Sequence, residues 1–280
     1  VPTVGSGLDR IGRNIPLMDP LEKCGACLYK AFIFFAKSLA EAVAFPYNGM
    51  GFVRPNRMAP VLCDGKEREY FMIQMTNQQE FHLSTEKTSY LFRALPCGKL
   101  EQLYYGRKIP ACEAYSFLYD KHAAGYSNST VYDKKEKLSL DHIRLEYSEF
   151  GKGDYRLPAF QVQAENGNFN SDFKFVTARV TDTKPELSGL PSSYGRSQTL
   201  TVILEDAALG AQLHLLYTVF EECNVITRSA RLINQSEREI KLHSLMSMQI
   251  DLPAGEYTML SFDGSWIRER YKHERPLTAG

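Results

Sequence analysis

The chain has 280 residues, 44% of them hydrophobic and 24% charged, which is enough material to bury a full-sized core in an ordinary globular protein. Lys plus Arg and Asp plus Glu both total 33, so the formal net charge is zero and nothing global favours nucleic acid or an anionic membrane as partner. The six cysteines are too sparse for a disulfide scaffold. Only Cys24 and Cys27 form a close pair, and no second pair follows at a zinc-ligand spacing, so plain thiols in a cytoplasmic protein without metal or cofactor are expected.

Residues 1–71 carry many breakers, among them Pro16, Pro20, Pro46, Pro55 and Pro60, and no sustained strand alternation. The apolar run from Leu28 to Phe45 is interrupted by Lys30, Lys37 and Glu41 and is shorter than the ~20 residues that span a bilayer. It reads as an amphipathic helix or as part of a poorly specified leader. The pattern changes at Met72-Ile-Gln-Met, which suits an internal start, with 1–71 as an extension of uncertain structure and 72–280 as the body.

The body predicts strand after strand. Thr88 to Leu95 places Tyr90, Phe92 and Ala94 on one face and Leu91 and Leu95 on the other. Pro96-Cys97-Gly98-Lys99 then supplies turn chemistry before Leu100 to Tyr105, a hairpin signal. A long polar stretch from Ile109 to Asp154 follows, and a loop of that length in a compact domain is usually functional or mobile. Further strand-like runs are Ala159–Ala164, Phe173–Val180, Thr199–Leu204, Gln212–Phe220, Asn224–Ile233 and Glu239–Ile250, with Asn166-Gly167, Gly210, Asn234-Gln235-Ser236 and Pro253-Ala254-Gly255 as turns. Leu213 to Tyr217 is apolar on both faces, which points to a central position. The fold class is all-β, a large antiparallel β-sandwich (a supersandwich).

Motifs for chemistry are lacking. There is no Gly-x-Ser-x-Gly, Walker A loop, Gly-x-Gly-x-x-Gly or His-Glu-x-x-His. His214 and His243 fall within strands, where a hydrogen-bonded or surface imidazole is the ordinary case, and Glu221-Glu222 reads as a solvated turn. On motifs alone the chain is a non-enzymatic β-sandwich.

A set of segments nevertheless carries a resemblance. Phe81-His82-Leu83, Thr88-Ser89-Tyr90 and Leu100 to Gly106 resemble the opening hairpin of family 36 α-galactosidases. So, in family order, do Gly153 to Phe160, Gly189-Leu190-Pro191, Tyr217 to Phe220, Asn224 to Ser229, Asp263 to Arg270 and Arg275-Pro276-Leu277. The resemblance runs from about Met72 to the C-terminus and leaves out 1–71. It implies the N-terminal sandwich of an enzyme that hydrolyses terminal α-galactosides such as melibiose and raffinose-type sugars with retention, through a covalent glycosyl-enzyme intermediate. The Lys-Trp-Asp type nucleophile segment and the acid/base Asp of the family's (β/α)₈ barrel do not occur in these residues, so this chain by itself is expected to be a truncated, inactive sandwich and the full-length protein a homo-oligomer, a tetramer.

Two positions are expected to touch sugar. The family's Gly-Ala-Trp segment corresponds to Gly264-Ser265-Trp266, which makes Trp266, the only tryptophan, a substrate-contacting aromatic; an indole packs on the C–H face of a pyranose. Its bland counterpart is a half-buried sandwich Trp. Asp120 matches a family Asp followed by a basic residue, here Lys121, although the usual Ser-Pro after it is replaced by His122-Ala123-Ala124; its bland counterpart is a solvated loop carboxylate. Arg268, Glu269 and Arg270 read as a surface or inter-domain ion-pair network. The rival function is a non-catalytic sandwich that binds carbohydrate or mediates assembly. Sandwich strands expected beyond Gly280 would leave an apolar face uncovered, which predicts self-association.

Overall fold

The structure, a computed structural model, describes residues 72–122, 130–186, 193–252 and 255–278, together with the backbone of 28–35. Its strands, in chain order, are β1 (Leu28–Phe35), β2 (Ile73–Met75), β3 (Glu80–Ser84), β4 (Thr88–Ala94), β5 (Leu100–Arg107), β6 (Phe160–Ala164) and β7 (Lys174–Thr181). They continue as β8 (Gln198–Asp206), β9 (Ala211–Phe220), β10 (Val225–Asn234), β11 (Ile240–Leu245), β12 (Tyr257–Ser265) and β13 (Arg268–Leu277). Two 3₁₀ turns, Ser116–Leu118 and Leu140–His142, are the only helical elements among the described residues. The antiparallel sandwich expected from the alternation is what the chain forms.

A four-stranded sheet, β2-β3-β4-β5, faces a five-stranded sheet ordered β1-β10-β9-β8-β7, and every named strand pair is antiparallel. Period two decides which residues meet between the layers. Phe81, Leu83, Tyr90, Phe92 and Ala94 from the small sheet pack with Leu200, Val202, Leu213, Leu215, Tyr217 and Val219 from the large one. Phe92 and Tyr217 bring their ring centroids to 5.0 Å across the gap. The β6–β11 ribbon adds Phe160, Val162 and Leu245 to the same core. In the β4–β5 turn Gly98 has φ +87°, and a Cβ there would lie 2.9 Å from the Cβ of Lys174, so the turn needs glycine for conformation and for space.

Three differences from the sequence reading have physical causes. The run beginning at Leu28, read as a helix or leader, is a strand over Leu28–Phe35, paired in register with β10 from Leu28↔Leu232 to Phe35↔Val225. Its Tyr, Phe and Ile content suits a strand, and an open edge of β10 offers a ladder that an isolated helix does not. The rest of 1–71, including Cys24, Cys27 and Cys63, lies outside the described residues, as does Gly189-Leu190-Pro191. Second, the segment after Ile109 is layered on the outer face of the small sheet. It buries Tyr115 with Leu91 and Leu103, and Leu138, Leu140, Ile143 and Leu145 with Leu95. Third, residues 257–277 form a hairpin that the sequence reading left unassigned as strands.

Strand β9 is central, as its apolar text implied, but only one of its faces is sealed. Leu213, Leu215 and Tyr217 are buried, while His214 and Leu216 are half-buried on a groove shared with Arg179, Thr201 and Arg231. Burial, with Arg231 and Arg179 nearby, lowers the His214 pKa. His243 meets Gln163 Oε1 at 3.1 Å and stacks near Phe169, so neither histidine departs from a structural or surface role. Glu221-Glu222 opens the β9–β10 turn, as expected.

Candidate functional site

Trp266 and Ile267 form the tip of the β12–β13 hairpin. A register shift between Asp263 and Ser265 and positive φ at Ile267 (66°) turn the chain there. Trp266 is 87% exposed in this chain, and it has no hydrogen-bond or ring partner among the described residues. Among the described residues the ribbon pairs only with itself and is exposed on both faces. Leu260 and Phe262 line one side, Met259 and Tyr271 the other, and Arg268, Glu269 and Arg270 are all exposed.

Asp120 follows the first 3₁₀ turn. Arg144 donates to its carboxylate from Nε (3.0 Å) and Nη2 (2.7 Å), and both bonds end on Oδ2. Oδ1 has no partner among the described residues, and the side chain is 55% exposed. Asp120 is thus an oriented carboxylate with one oxygen open to a hydroxyl donor. Among the described residues it shares no hydrogen-bond partner with Trp266.

Beneath Asp120 lies a buried polar layer built on β2 to β5. Glu80, fully buried, accepts the Tyr115 backbone N–H (2.9 Å) and the Tyr119 hydroxyl (2.6 Å) on Oε1, and the Thr76 hydroxyl (2.6 Å) on Oε2. Arg93 lies 3.4 Å from the centroid of the Tyr119 ring and donates to Glu101 Oε2 at 2.7 Å, while His122 meets Glu101 Oε1 at 2.6 Å. His82 bridges Ser89 Oγ (2.8 Å, at Nε2) and Tyr115 Oη (2.7 Å, at Nδ1). The neighbours assign its tautomer. Tyr115 Oη donates to Gln74 Oε1, so it must accept from Nδ1–H, and Ser89 Oγ, which accepts the Ile109 N–H, must donate to Nε2. Burial, with the charge of Lys108 adding, lowers the His82 pKa to about 4, so the ring is neutral near pH 7. The order Ser–His–Tyr mimics a nucleophile relay, but Ser89 is fully buried and His82 is 2% exposed, so no substrate reaches it.

A second buried group joins the two sheets. Arg228 Nη2 meets Glu146 Oε1 at 2.5 Å, Tyr90 and Tyr217 donate to the same carboxylate at 2.5 and 2.8 Å, and Arg228 Nη1 donates to the Gln249 carbonyl at 2.9 Å. Burial pushes the Glu146 carboxyl up against the pull of Arg228.

The sequence reading missed Glu80, His82, Glu101 and Arg144. Glu80 and His82 alternate with Phe81 and Leu83, so period two assigns them to solvent; only the covering segment makes that face an interior. Among the described residues no group of His, Cys, Asp or Glu is arranged to hold a metal ion, and no helix is long and apolar enough to cross a membrane.

Among the described residues this strand-built domain presents an oriented carboxylate at Asp120 and an exposed indole at Trp266. The Glycosyl hydrolase family 36 N-terminal domain matches residues 98–280, and the chain belongs to that family. It is 36% identical over 206 residues to the α-galactosidase AgaA of Geobacillus stearothermophilus, covering 72% of this chain and 28% of that protein. With the bifunctional α-galactosidase/sucrose kinase AgaSK of Mediterraneibacter gnavus it shares 33% identity over 213 residues, 75% of this chain and 23% of that one. Among solved structures, the family 36 α-galactosidase AgaB of G. stearothermophilus superimposes with a TM-score of 0.67 at 33% identity, covering 75% of this chain and 29% of that one. An AgaA variant in complex with raffinose gives 0.65 at 35% identity, with 72% and 28% covered. The chain therefore spans less than a third of the length of these relatives.

Proposed function

We propose that this chain is the N-terminal part of an α-galactosidase that removes terminal α-galactose from melibiose- and raffinose-type sugars with retention of configuration. The observation that carries the proposal is the family match over 98–280, made to relatives that are α-galactosidases. A retaining mechanism needs two carboxyl groups about 5–5.5 Å apart across the glycosidic bond. In this reading both come from a barrel outside these 280 residues, and the sandwich supplies contacts to the sugar. Trp266 packs its indole on the apolar face of a pyranose, and Asp120 accepts a hydroxyl on its open Oδ1. The enzyme works as a homo-oligomer, a tetramer, in which the exposed hairpin tip reaches a neighbouring subunit's site. The free thiols of Cys97 and Cys223 suit a reducing, cytoplasmic setting.

The test is hydrolysis of a chromogenic α-galactoside by this chain beside the native gene product read from its own start codon to its stop codon. Activity is expected only in the latter, and Trp266→Ala there is expected to raise KM about five- to tenfold. Turnover by the 280-residue chain would mean that a catalytic pair lies within the sandwich.

The ribbon's exposure on both faces favours a second reading, a non-catalytic sandwich that binds carbohydrate or mediates assembly. Isolated two-stranded hairpins are marginal in water, so a ribbon carrying Leu260, Phe262, Trp266 and Ile267 outward gains by being covered. Sedimentation of this chain is expected to show reversible self-association that weakens in Phe262→Ser. A monomer at all accessible concentrations would remove that reading.

A further inference from the structure

We infer that Glu80 is a positioning residue for Asp120, holding the strap that presents this carboxylate through the Tyr115 backbone and the Tyr119 side chain. The inference rests on the proposed role of Asp120 in contacting sugar.

The geometry is specific. One carboxylate oxygen of Glu80 takes two donors, the Tyr115 N–H and the Tyr119 hydroxyl, that bracket the 3₁₀ turn Ser116–Leu118. Within the turn the backbone bonds are only Leu118 N to Tyr115 O (2.8 Å) and Tyr119 N to Ser116 O (3.2 Å), too little to keep so short an element in place. The strap is therefore held from below. Tyr119 is the residue immediately before Asp120, and its ring lies against Arg93, whose own guanidinium is fixed by Glu101. On the other side of Asp120, His122 is tied to the same Glu101. The carboxylate thus hangs between two anchored neighbours, while Arg144 holds its Oδ2.

A buried carboxylate is an expensive way to fasten a loop. Glu80 is fully buried, has no Lys, Arg or His within ion-pair distance among the described residues, and spends its acceptor sites on one backbone N–H and two hydroxyls. A small apolar residue under a loop would serve packing alone. An acceptor aimed at both ends of the turn fixes where the chain leaves Tyr119, and so where Asp120 stands. Preorganisation of this kind moves substrate affinity, because a carboxylate a fraction of an ångström out of place loses its hydrogen bond to a hydroxyl.

The variants are Tyr119→Phe, which deletes one hydroxyl and keeps the ring on Arg93, Glu80→Ala, and Glu80→Gln, which keeps an acceptor oxygen. In hydrogen exchange of the 280-residue chain, Tyr119→Phe and Glu80→Ala are expected to speed exchange across residues 116–122 about tenfold while β8 and β9 stay unchanged, with Glu80→Gln close to wild type. In the native gene product the same two variants are expected to raise KM for an α-galactoside about fivefold at nearly constant kcat, again restored by Glu80→Gln. Unchanged exchange in both Tyr119→Phe and Glu80→Ala would overturn the inference. So would an unchanged KM in these variants if Asp120→Asn raises it. An Asp120→Asn enzyme with normal KM would instead overturn the sugar-contact reading of Asp120, whatever the exchange data show.

Discussion

Replacing Arg228 by methionine is expected to cost about 3–5 kcal/mol of folding stability, the largest effect of any single substitution proposed for this chain. The guanidinium is buried between the sheets and lies 4.8 Å from the ring centroid of Tyr217. Its removal leaves the Glu146 carboxyl, fully buried, with two tyrosine hydroxyls and no cation. Burial already pushes the Glu146 pKa up with Arg228 in place, so without the cation the carboxyl takes a proton or draws in water, and either outcome costs free energy. The pair itself need not be a net source of stability, because desolvating both ions offsets their attraction. The double variant Arg228→Met with Glu146→Leu is therefore expected to recover a good part of the loss, short of full recovery because the Tyr90 and Tyr217 hydroxyls lose their acceptor. Urea unfolding would read the effect as a lowered midpoint at constant slope. A loss below about 1 kcal/mol in the single variant would show that water replaces the guanidinium at little cost.

The second large effect is a pH dependence carried by His82. In the folded chain its imidazole titrates near pH 4, because burial and Lys108 oppose the charged form, whereas in the unfolded chain it takes up a proton near 6.5. Between these values the unfolded state binds more protons, so the contribution is complete above pH 6.5, falls as the pH drops towards 4 and is lost below that. The amount is on the order of 3 kcal/mol. Carboxylates titrate at the lower end of the same window, so the informative quantity is the difference between wild type and His82→Gln, measured at about pH 7 and about pH 4.5. The variant is expected to be less stable at the higher pH, since Ser89 and Tyr115 lose a matched partner, and to lose less on acidification. Equal acid sensitivity in the two proteins would mean that His82 accepts its proton without leaving the fold.

Much of the architecture is legible in the residues themselves. Alternation of Tyr90, Phe92 and Ala94 against Leu91 and Leu95 marks β4 and correctly sorts its two faces, because a strand has a period of two whatever it packs against. The turn at Gly98 and the runs that became β6 to β11 are read the same way, from local conformational preference. The β12–β13 hairpin is not legible so easily. Its exposed strands mix Leu260 and Phe262 with Lys272 and Glu274, and an exposed ribbon lacks the one-sided apolar pattern that burial imposes.

For the candidate site the division is sharper. Residue identity and a family resemblance were enough to single out Trp266 and Asp120, but not to say that the indole stands in solvent at a hairpin tip or that Arg144 holds one oxygen of the carboxylate and leaves the other open. Those facts depend on which distant segments meet. Glu80 and His82 show why: by alternation they belong on a solvent-facing surface, and only the strap of residues 109–122, arriving from the far side of β5, turns that surface into an interior where Tyr115 and Tyr119 become their partners. The sequence by itself determined β4 to β11 and the family, since these follow from local periodicity and residue identity, but not β1 or the β12–β13 hairpin. Only the tertiary structure decided which polar groups are buried together, because burial is a property of what covers a residue and no local pattern encodes it.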